Sequence, residues 1–579
     1  MPDNRDIQTP APPSVATFSI SAAGNAVTKS YQISSIMVMK EVNRIPAATI
    51  VIQDGEASKQ TFPVADKDDF LPGTAIEIKA GYRGKEDTIF KGQVIRTTIR
   101  VRKNVSLLYV ECRDKIFSSS LSPQNKYYKD QKDSEIIEDI LGKYQLDKDV
   151  TATTIKHTTL VQYQQSDWDF LLQRATATNM HCIINDGKGS FKVPDLGQSP
   201  AETIQYGSSL LEMDLELDAR TQPPELKIIS WDQSSQDITT TTAKEPAGKL
   251  NGDLSGKDLA GKINAADSQL LISTTIPAQE LQLAADAMLM RTRLSACSGR
   301  VNCQGTAKIV PGCMIALNGI GKHYQGNAYV TGVKHMIIKG NWTTDAQIGV
   351  PVTGPAGISN NATIAIPQGI TTLQTGIVTK LENDPGKEDR IQVTLPSIDP
   401  KDDGVWARVG VPDAGNKRGA YFRPEIKDEV LVAFLDGNPN YPVVLGGLNS
   451  SALPAPITAK DTNDEKGFVT RSGMKMIFND DKKSYQLETP GGNKITVSDD
   501  AKGIVMADQN GNKITMNDNG ITIESPKDIQ FKATGDMNIQ GKTNNLKATL
   551  GFKADGGSGC EISAGNGITA VKGALVQIN

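Results

Sequence analysis

Gly492-Asn493-Lys494-Ile495-Thr496-Val497 returns nineteen residues later as Gly511-Asn512-Lys513-Ile514-Thr515-Met516. Finer pairs of the form apolar-x-apolar start at Ile495, Ile504, Ile514, Ile521, Ile529 and Met537, so the successive intervals are nine, ten, seven, eight and eight. Each unit is one short strand and a turn rich in Gly, Asn and Asp, so residues 491–579 read as a repeat array. The segment carries nine Lys, nine acidic residues and no His, Trp, Tyr or Arg, which separates it from everything before it. A single-chain β-helix needs roughly 20 residues per coil, because one chain must supply every face. The shorter interval here supplies one face and a corner. Three intertwined chains would supply three faces with the apolar pairs inward. The expected core is then Ile495, Val497, Ile504, Met506, Ile514, Met516, Ile521, Ile523, Ile529, Phe531, Met537 and Ile539. The alternative is a flat meander with hairpin turns. Periodicity favours the triple-stranded β-helix, since an isolated meander so poor in aromatics would bury little.

Outward from the array, residues 450–490 read as a connector and residues 372–449 as a compact β region. Arg390-Ile391-Gln392-Val393-Thr394-Leu395 and Glu429-Val430-Leu431-Val432-Ala433-Phe434 are clear strands there, and the length suits a small barrel such as an OB-fold. Residues 351–371, with Pro351, Pro355 and Pro367 among Gly, Asn and Thr, form a linker. Residues 15–350 mix short β runs such as Ala48-Thr49-Ile50-Val51-Ile52 with three helical stretches. Those stretches begin near Ser134, at Ser166 with Asp169 close to a capping box, and after Pro277. The Pro-rich residues 1–14 are a flexible tail without an apolar core, and so no signal peptide.

Composition narrows the function. With 62 Lys+Arg against 66 Asp+Glu the net charge is −4, which opposes a strongly basic nucleic-acid binder or a polybasic membrane-surface protein. No apolar run approaches the ~18 residues of a membrane span. Six Cys without CxxC spacing point to reduced thiols and synthesis in the cytoplasm.

The motifs that could carry chemistry each fall short of it. Gly256-Lys257-Asp258-Leu259-Ala260-Gly261-Lys262-Ile263 resembles a phosphate loop but lacks the Ser/Thr that would hold Mg²⁺, so a surface loop is the better reading. Cys297, Cys303, Cys313 and His323 lack the tight pairs of a structural zinc site. His157, His181, His323 and His335 are too scattered to nominate a base. Asp508-Gln509-Asn510-Gly511 opens like a calcium loop, but Asn519 stands where its closing Glu belongs, so it reads as a repeat turn. Residues 373–450 hold nine Lys/Arg against twelve Asp/Glu, the wrong sign for a single-strand-binding barrel. No catalytic residue, cofactor or metal is therefore expected.

The barrel segment closely resembles the OB-fold of the VgrG/phage baseplate spike family. The carrying residues are Gly376-Ile377-Val378-Thr379, Asp389 to Pro396, Trp406-Ala407-Arg408-Val409, Tyr421 to Ile426, Asp428 to Phe434, Asp436-Gly437-Asn438-Pro439 and Tyr441 to Gly446. Two departures are Lys427, where Gly commonly precedes Asp-Glu-Val, and Ser397, where an aromatic often follows Leu-Pro. Ser166 to Leu172, Asn185-Asp186-Gly187-Lys188, Tyr329 to His335 and Gly340 to Thr344 are similar to the family's hub portion. The fold class implied is mainly β: a hub of β-barrels with a few helices, an OB-fold, and an intertwined trimeric β-helix needle.

The resemblance implies a homotrimeric, non-enzymatic central spike of a phage-tail-like contractile injection system. It would join the inner tube protein and baseplate proteins to a membrane-puncturing tip. Leu575, Val576, Gln577, Ile578 and Asn579 would contact a PAAR-type tip protein, with cargo effectors as further partners and no nucleic acid. The stretch between Leu448 and Gly491 is too short for an inserted lysozyme, and the chain's end leaves no room for a fused effector. An extracellular particle is favoured over a type VI secretion apparatus. The protein would be made in the bacterial cytoplasm and assembled into a particle that is released or anchored at the membrane. The rival readings are a polysaccharide-degrading tailspike and an OB-type nucleic-acid binder.

Overall fold

The structure, a computed structural model, describes residues 15–27, 31–103, 105–272, 274–350 and 370–578. Residues 1–14 and most of the expected linker lie outside the described residues. The chain is mainly β, 43% strand and 11% helix, and divides into two compact units, one ending at Leu453 and the other beginning at Pro454.

In the first unit, alternating strands build a 13-stranded sheet with an apolar core at each end. Ile36 and Val38 of Gln32–Glu41 point into one core beside Ile50 and Ile52 of Ala47–Gln53, because successive side chains fall on opposite faces. Val301, Val333 and Ala346 fill the other core. Gly326–Ile338 pairs antiparallel with Gln32–Glu41, His335 opposite Val38, and so fuses the two halves into one sheet.

The three expected helices are Asp133–Lys143, Asp167–Ala177 and Ala278–Leu294. Ser166 caps the second, its Oγ accepting from the Asp169 N–H at 3.1 Å, and Pro277 precedes the third. The phosphate-loop candidate is the short helix Gly256–Lys262, capped by Ser255 and Asp258 in a reciprocal capping box. The expectation of a surface loop there is corrected: Leu259 and Ala260 are buried, and packing with a good cap holds the segment helical.

Five strands, Gln374–Lys380, Ile391–Thr394, Val405–Val409, Glu429–Phe434 and Pro442–Gly447, close into a barrel. Its core of Val378, Ile391, Val393, Val405, Val430, Val432 and Val444 also takes in Tyr127 and Val161 from the hub. The Leu395 N–H donates to Tyr127 Oη at 3.2 Å, the Val161 N–H to Asn440 Oδ1 at 2.9 Å, and Lys129 pairs with Asp402 at 2.6 Å. Barrel and hub are thus one packed body. Lys427 has φ +77°, the left-handed region where a Cβ is strained, and this is the physical reason a Gly suits that turn.

The second unit is a seven-stranded antiparallel meander: Glu465–Val469, Lys475–Asn479, Ser484–Glu488, Lys494–Ser498, Gly503–Ala507, Lys513–Asn517 and Gly520–Glu524. Its first three strands lie inside the segment read as a connector, so the array begins well before Gly491. Within one chain the repeats up to Glu524 pair as hairpins, the alternative set beside the intertwined reading. Among described residues 525–578 there is no strand.

Candidate trimer interface

Each five-residue strand of the meander alternates its side chains between two faces, and the hairpin register keeps them aligned from strand to strand. Phe468, Met476, Leu487, Ile495, Met506, Ile514 and Ile523 stand opposite one another along the sheet. Phe478, Tyr485, Val497, Ile504, Met516 and Ile521 form a second such ladder on the same face. The opposite face carries Gln486, Thr496, Thr515 and Thr522, with Glu488 beside Lys475 and Lys494, and Glu524 beside Lys513. Ile477 and Val505 interrupt that polar face. One face is therefore apolar from the second strand to the seventh, with Lys466 beside Phe478 at its first strand, and the other is mostly polar.

The apolar face is open in the single chain. Phe468 is 52% exposed and Ile521 70%. An apolar face of this extent is far beyond the scattered exposed residues of a monomeric surface. Burying each such side chain supplies roughly 1.5–3 kcal/mol before the cost of association.

The turns explain the repeated Gly-Asn. Gly492 and Gly511 have φ of +92° and +89°, so each Gly stands where a side chain would be strained. Asp508 Oδ1 accepts from the N–H groups of Asn510 and Asn512, both at 2.9 Å, and Oδ2 from Asn512 Nδ2 at 2.7 Å. The Asn512 side chain, with these backbone donors, holds the Asp508 carboxyl below its ordinary range. Asp508 is thus occupied by its own turn, as a repeat turn requires.

The expected core residues fall into two groups. Ile495, Val497, Ile504, Met506, Ile514, Met516, Ile521 and Ile523 lie together on the apolar face. Ile529, Phe531, Met537 and Ile539 lie beyond the last strand and are exposed. Leu575, Val576 and Ile578 are exposed at the chain's end, whereas Asn579 lies outside the described residues. Sequence reasoning missed Phe468, Met476, Phe478, Tyr485 and Leu487. The alternation Met476-x-Phe478 and Tyr485-x-Leu487 is a usable signal, masked by the Tyr and Arg that make this stretch unlike the array in composition.

The cysteine–histidine set resolves into separate partners. Asn251 Nδ2 donates to Cys297 Sγ at 3.0 Å, Cys303 Sγ to the Thr344 carbonyl at 3.5 Å, and His323 Nδ1 pairs with Asp253 at 2.6 Å. Among the described residues no cluster of three or more His, Cys, Asp or Glu is placed to hold a metal. Among them, too, no helix is long and apolar enough to cross a membrane.

Three family models match the chain. The Alg8 N-terminal domain matches residues 12–339, more than half of the chain. The Type VI secretion system/phage-baseplate injector OB domain matches 374–448, and the Phage baseplate V C-terminal trimerisation domain matches 484–579. Among solved structures, the lidded PdpA-VgrG complex of Francisella is similar at 11% identity and a TM-score of 0.51, over 88% of this chain and 80% of that one. Its half-lidded form gives 10% identity and 0.51, over 89% and 88%. The E. coli c3393 protein, described as a component of the type VI secretion system, gives 12% identity and 0.48, over 74% and 99%. No curated protein matches. The chain belongs to the family of the Alg8 N-terminal domain and, through its injector OB and baseplate V trimerisation domains, is a hub-spike component of phage-tail-like injection systems.

Proposed function

We propose that three copies of the chain form the central spike of the injection machine, joining inner tube and baseplate to a membrane-puncturing tip, and that the protein acts mechanically, without catalysis. The observation that carries this reading is the open apolar face of the seven-stranded sheet, whose last five strands lie in the segment matched by a trimerisation domain. Three such faces turned inward make a dry core with the Thr, Lys and Glu face outward. Sheath contraction loads this rod along its axis, and a shared core keeps one chain from separating alone. Ile529, Phe531, Met537 and Ile539 would find partners only in neighbouring copies, extending the core toward the end. The exposed Leu575, Val576 and Ile578 offer an apolar surface for a PAAR-type tip protein. The chain would be made in the bacterial cytoplasm and assembled into a released or membrane-anchored particle.

The test is the solution mass of the full chain beside a chain truncated after Leu453. Light scattering should give three times 62.2 kDa for the full chain and a lower mass for the truncated one. A stable full-length monomer would overturn the reading.

A further inference from the structure

Along Gln32–Glu41 the side chains of Ile36, Val38 and Lys40 fall on one face, and all three residues are almost wholly buried. A lysine thus occupies a position that the strand's period assigns to the core, with only 4% of its side chain exposed. Val333 stands opposite it in the sheet. His335, opposite Val38, adds no competing charge: burial, and then the Lys40 ammonium, push its imidazole down to about 3.

Lys40 meets the turn of the hairpin made by His181–Asn185 and Lys188–Lys192. Its Nζ lies 2.6 Å from Asn185 Oδ1, and 2.9 and 2.8 Å from the two carboxylate oxygens of Asp186. The turn is fixed from several sides. Asp186 Oδ1 accepts from the Lys91 N–H at 2.9 Å, and Asp114 Oδ2 accepts from the Gly187 N–H at 3.1 Å. Further along the hairpin, Asn43 Oδ1 accepts from the Cys182 N–H at 2.9 Å, and the Asn43 N–H donates to the Cys182 carbonyl at 2.7 Å. An amine, a carboxamide and a carboxylate are therefore held together by backbone from separate parts of the chain, which sets their positions in advance of any reaction.

A buried ion pair needs only the lysine and the aspartate. The carboxamide oxygen at 2.6 Å is the further observation, because the carbonyl carbon then lies one bond beyond the amine's contact. Burial pushes the Lys40 ammonium below its ordinary range, against the pull of Asp186. A desolvated lysine beside a proton acceptor is a nucleophile.

We propose that Lys40 and Asn185 join in an intramolecular isopeptide bond, with Asp186 as the proton acceptor. Asp186 takes one proton from the ammonium, and Nζ attacks Asn185 Cγ. As the tetrahedral intermediate collapses, the Nζ–Cγ bond stays and the Cγ–Nδ2 bond breaks. Nδ2 takes the second proton that Nζ gives up and leaves as ammonia, and the proton held by Asp186 departs with it as ammonium. Nothing is oxidised or reduced. The bond ties the core of the large hub sheet to the separate core under the first two helices, across 145 residues of chain. A cross-link over so long a loop restricts the unfolded chain as a long-range disulfide does. The inference is independent of the trimer reading, and it gives a load-bearing hub a link that force on hydrogen bonds cannot undo.

The test is mass spectrometry of the purified full-length protein, intact and after protease digestion. The expected intact mass is lower than that of the sequence by one ammonia, and the digest should contain a branched peptide joining the segments around Lys40 and Asn185. Lys40→Arg and Asn185→Ala should each give the full mass and two separate peptides. Asp186→Asn, with its fold checked by circular dichroism, should also stay unlinked. A native chain with separate, unmodified peptides overturns the proposal. So does an ammonia loss confined to a linear peptide, which marks Asn185 closing on its own backbone. Linkage of Asp186→Asn to the native extent overturns the assigned proton transfer.

Discussion

Arg174 Nε donates to Asp133 Oδ1 at 2.5 Å, and both side chains are almost wholly buried where the first two helices meet. His157 Nε2 lies 2.8 Å from the other oxygen of Asp133, and His157 Nδ1 lies 3.5 Å from Glu280 on the third long helix. Asn440 and Tyr441 of the barrel line the same small cavity. This one network gathers the helical layer beneath the barrel. Removing one partner of a buried pair leaves an uncompensated charge, so Asp133→Asn should destabilise the first unit by about 3 kcal/mol at neutral pH. Chemical denaturation of native and variant chains, followed by tryptophan emission, measures it.

The same pair has a pH signature. Burial alone would raise the Asp133 carboxyl, but the Arg174 and His157 charges outweigh it and hold the group down at about 2. A depressed carboxylate contributes stability above its unfolded value near 4 and loses it as pH falls toward the folded value. The stability gap between native and Asp133→Asn chains should be full at pH 6 and shrink steadily from about pH 4 to about pH 2. A gap that stays constant across that window would contradict the assignment.

At the barrel turn, Lys427→Gly should raise stability. Lys427 holds φ +77° while its N–H donates to the Val378 carbonyl at 2.8 Å, so glycine keeps the bond and removes the Cβ strain. The gain should be about 1 kcal/mol, offset in part by the entropy glycine adds to the unfolded chain. Thermal melts of the two proteins at matched concentration would show it as a higher midpoint.

In the array, Ile514 sits between Met506 and Ile523 on the apolar face, and Thr522 sits on the polar one. Ile514→Asp places a carboxylate in the proposed dry core and should shift the sedimenting species from trimer toward monomer. Thr522→Asp should leave the mass unchanged. Equal effects from the two would remove the facial asymmetry from the trimer argument.

The barrel and the C-terminal array are legible for different reasons. The barrel can be read because Arg390 to Leu395 and Glu429 to Phe434 alternate cleanly and their turns carry Gly and Pro at telling places. In the array the face is legible from period alone: every residue expected inward between Ile495 and Ile523 lies on one side of the sheet. The start of the array is not, because composition changes inside it: Tyr485 and Arg471 are of types absent from the later repeats, while the strands around them obey the same alternation.

Sequence by itself determined which side chains share a face, since a strand's period of two and a helix's period of 3.6 are local properties of the backbone. It also determined the turns, through residues whose φ is restricted by sterics. Tertiary structure decided what those faces meet. Glu212, Asp345, Lys334 and Glu111 come from distant parts of the chain and share one face only once the sheet is assembled. That the meander pairs within one chain was likewise beyond the sequence, because hydrogen bonds between neighbouring strands have the same form whether a hairpin or a second chain supplies the partner.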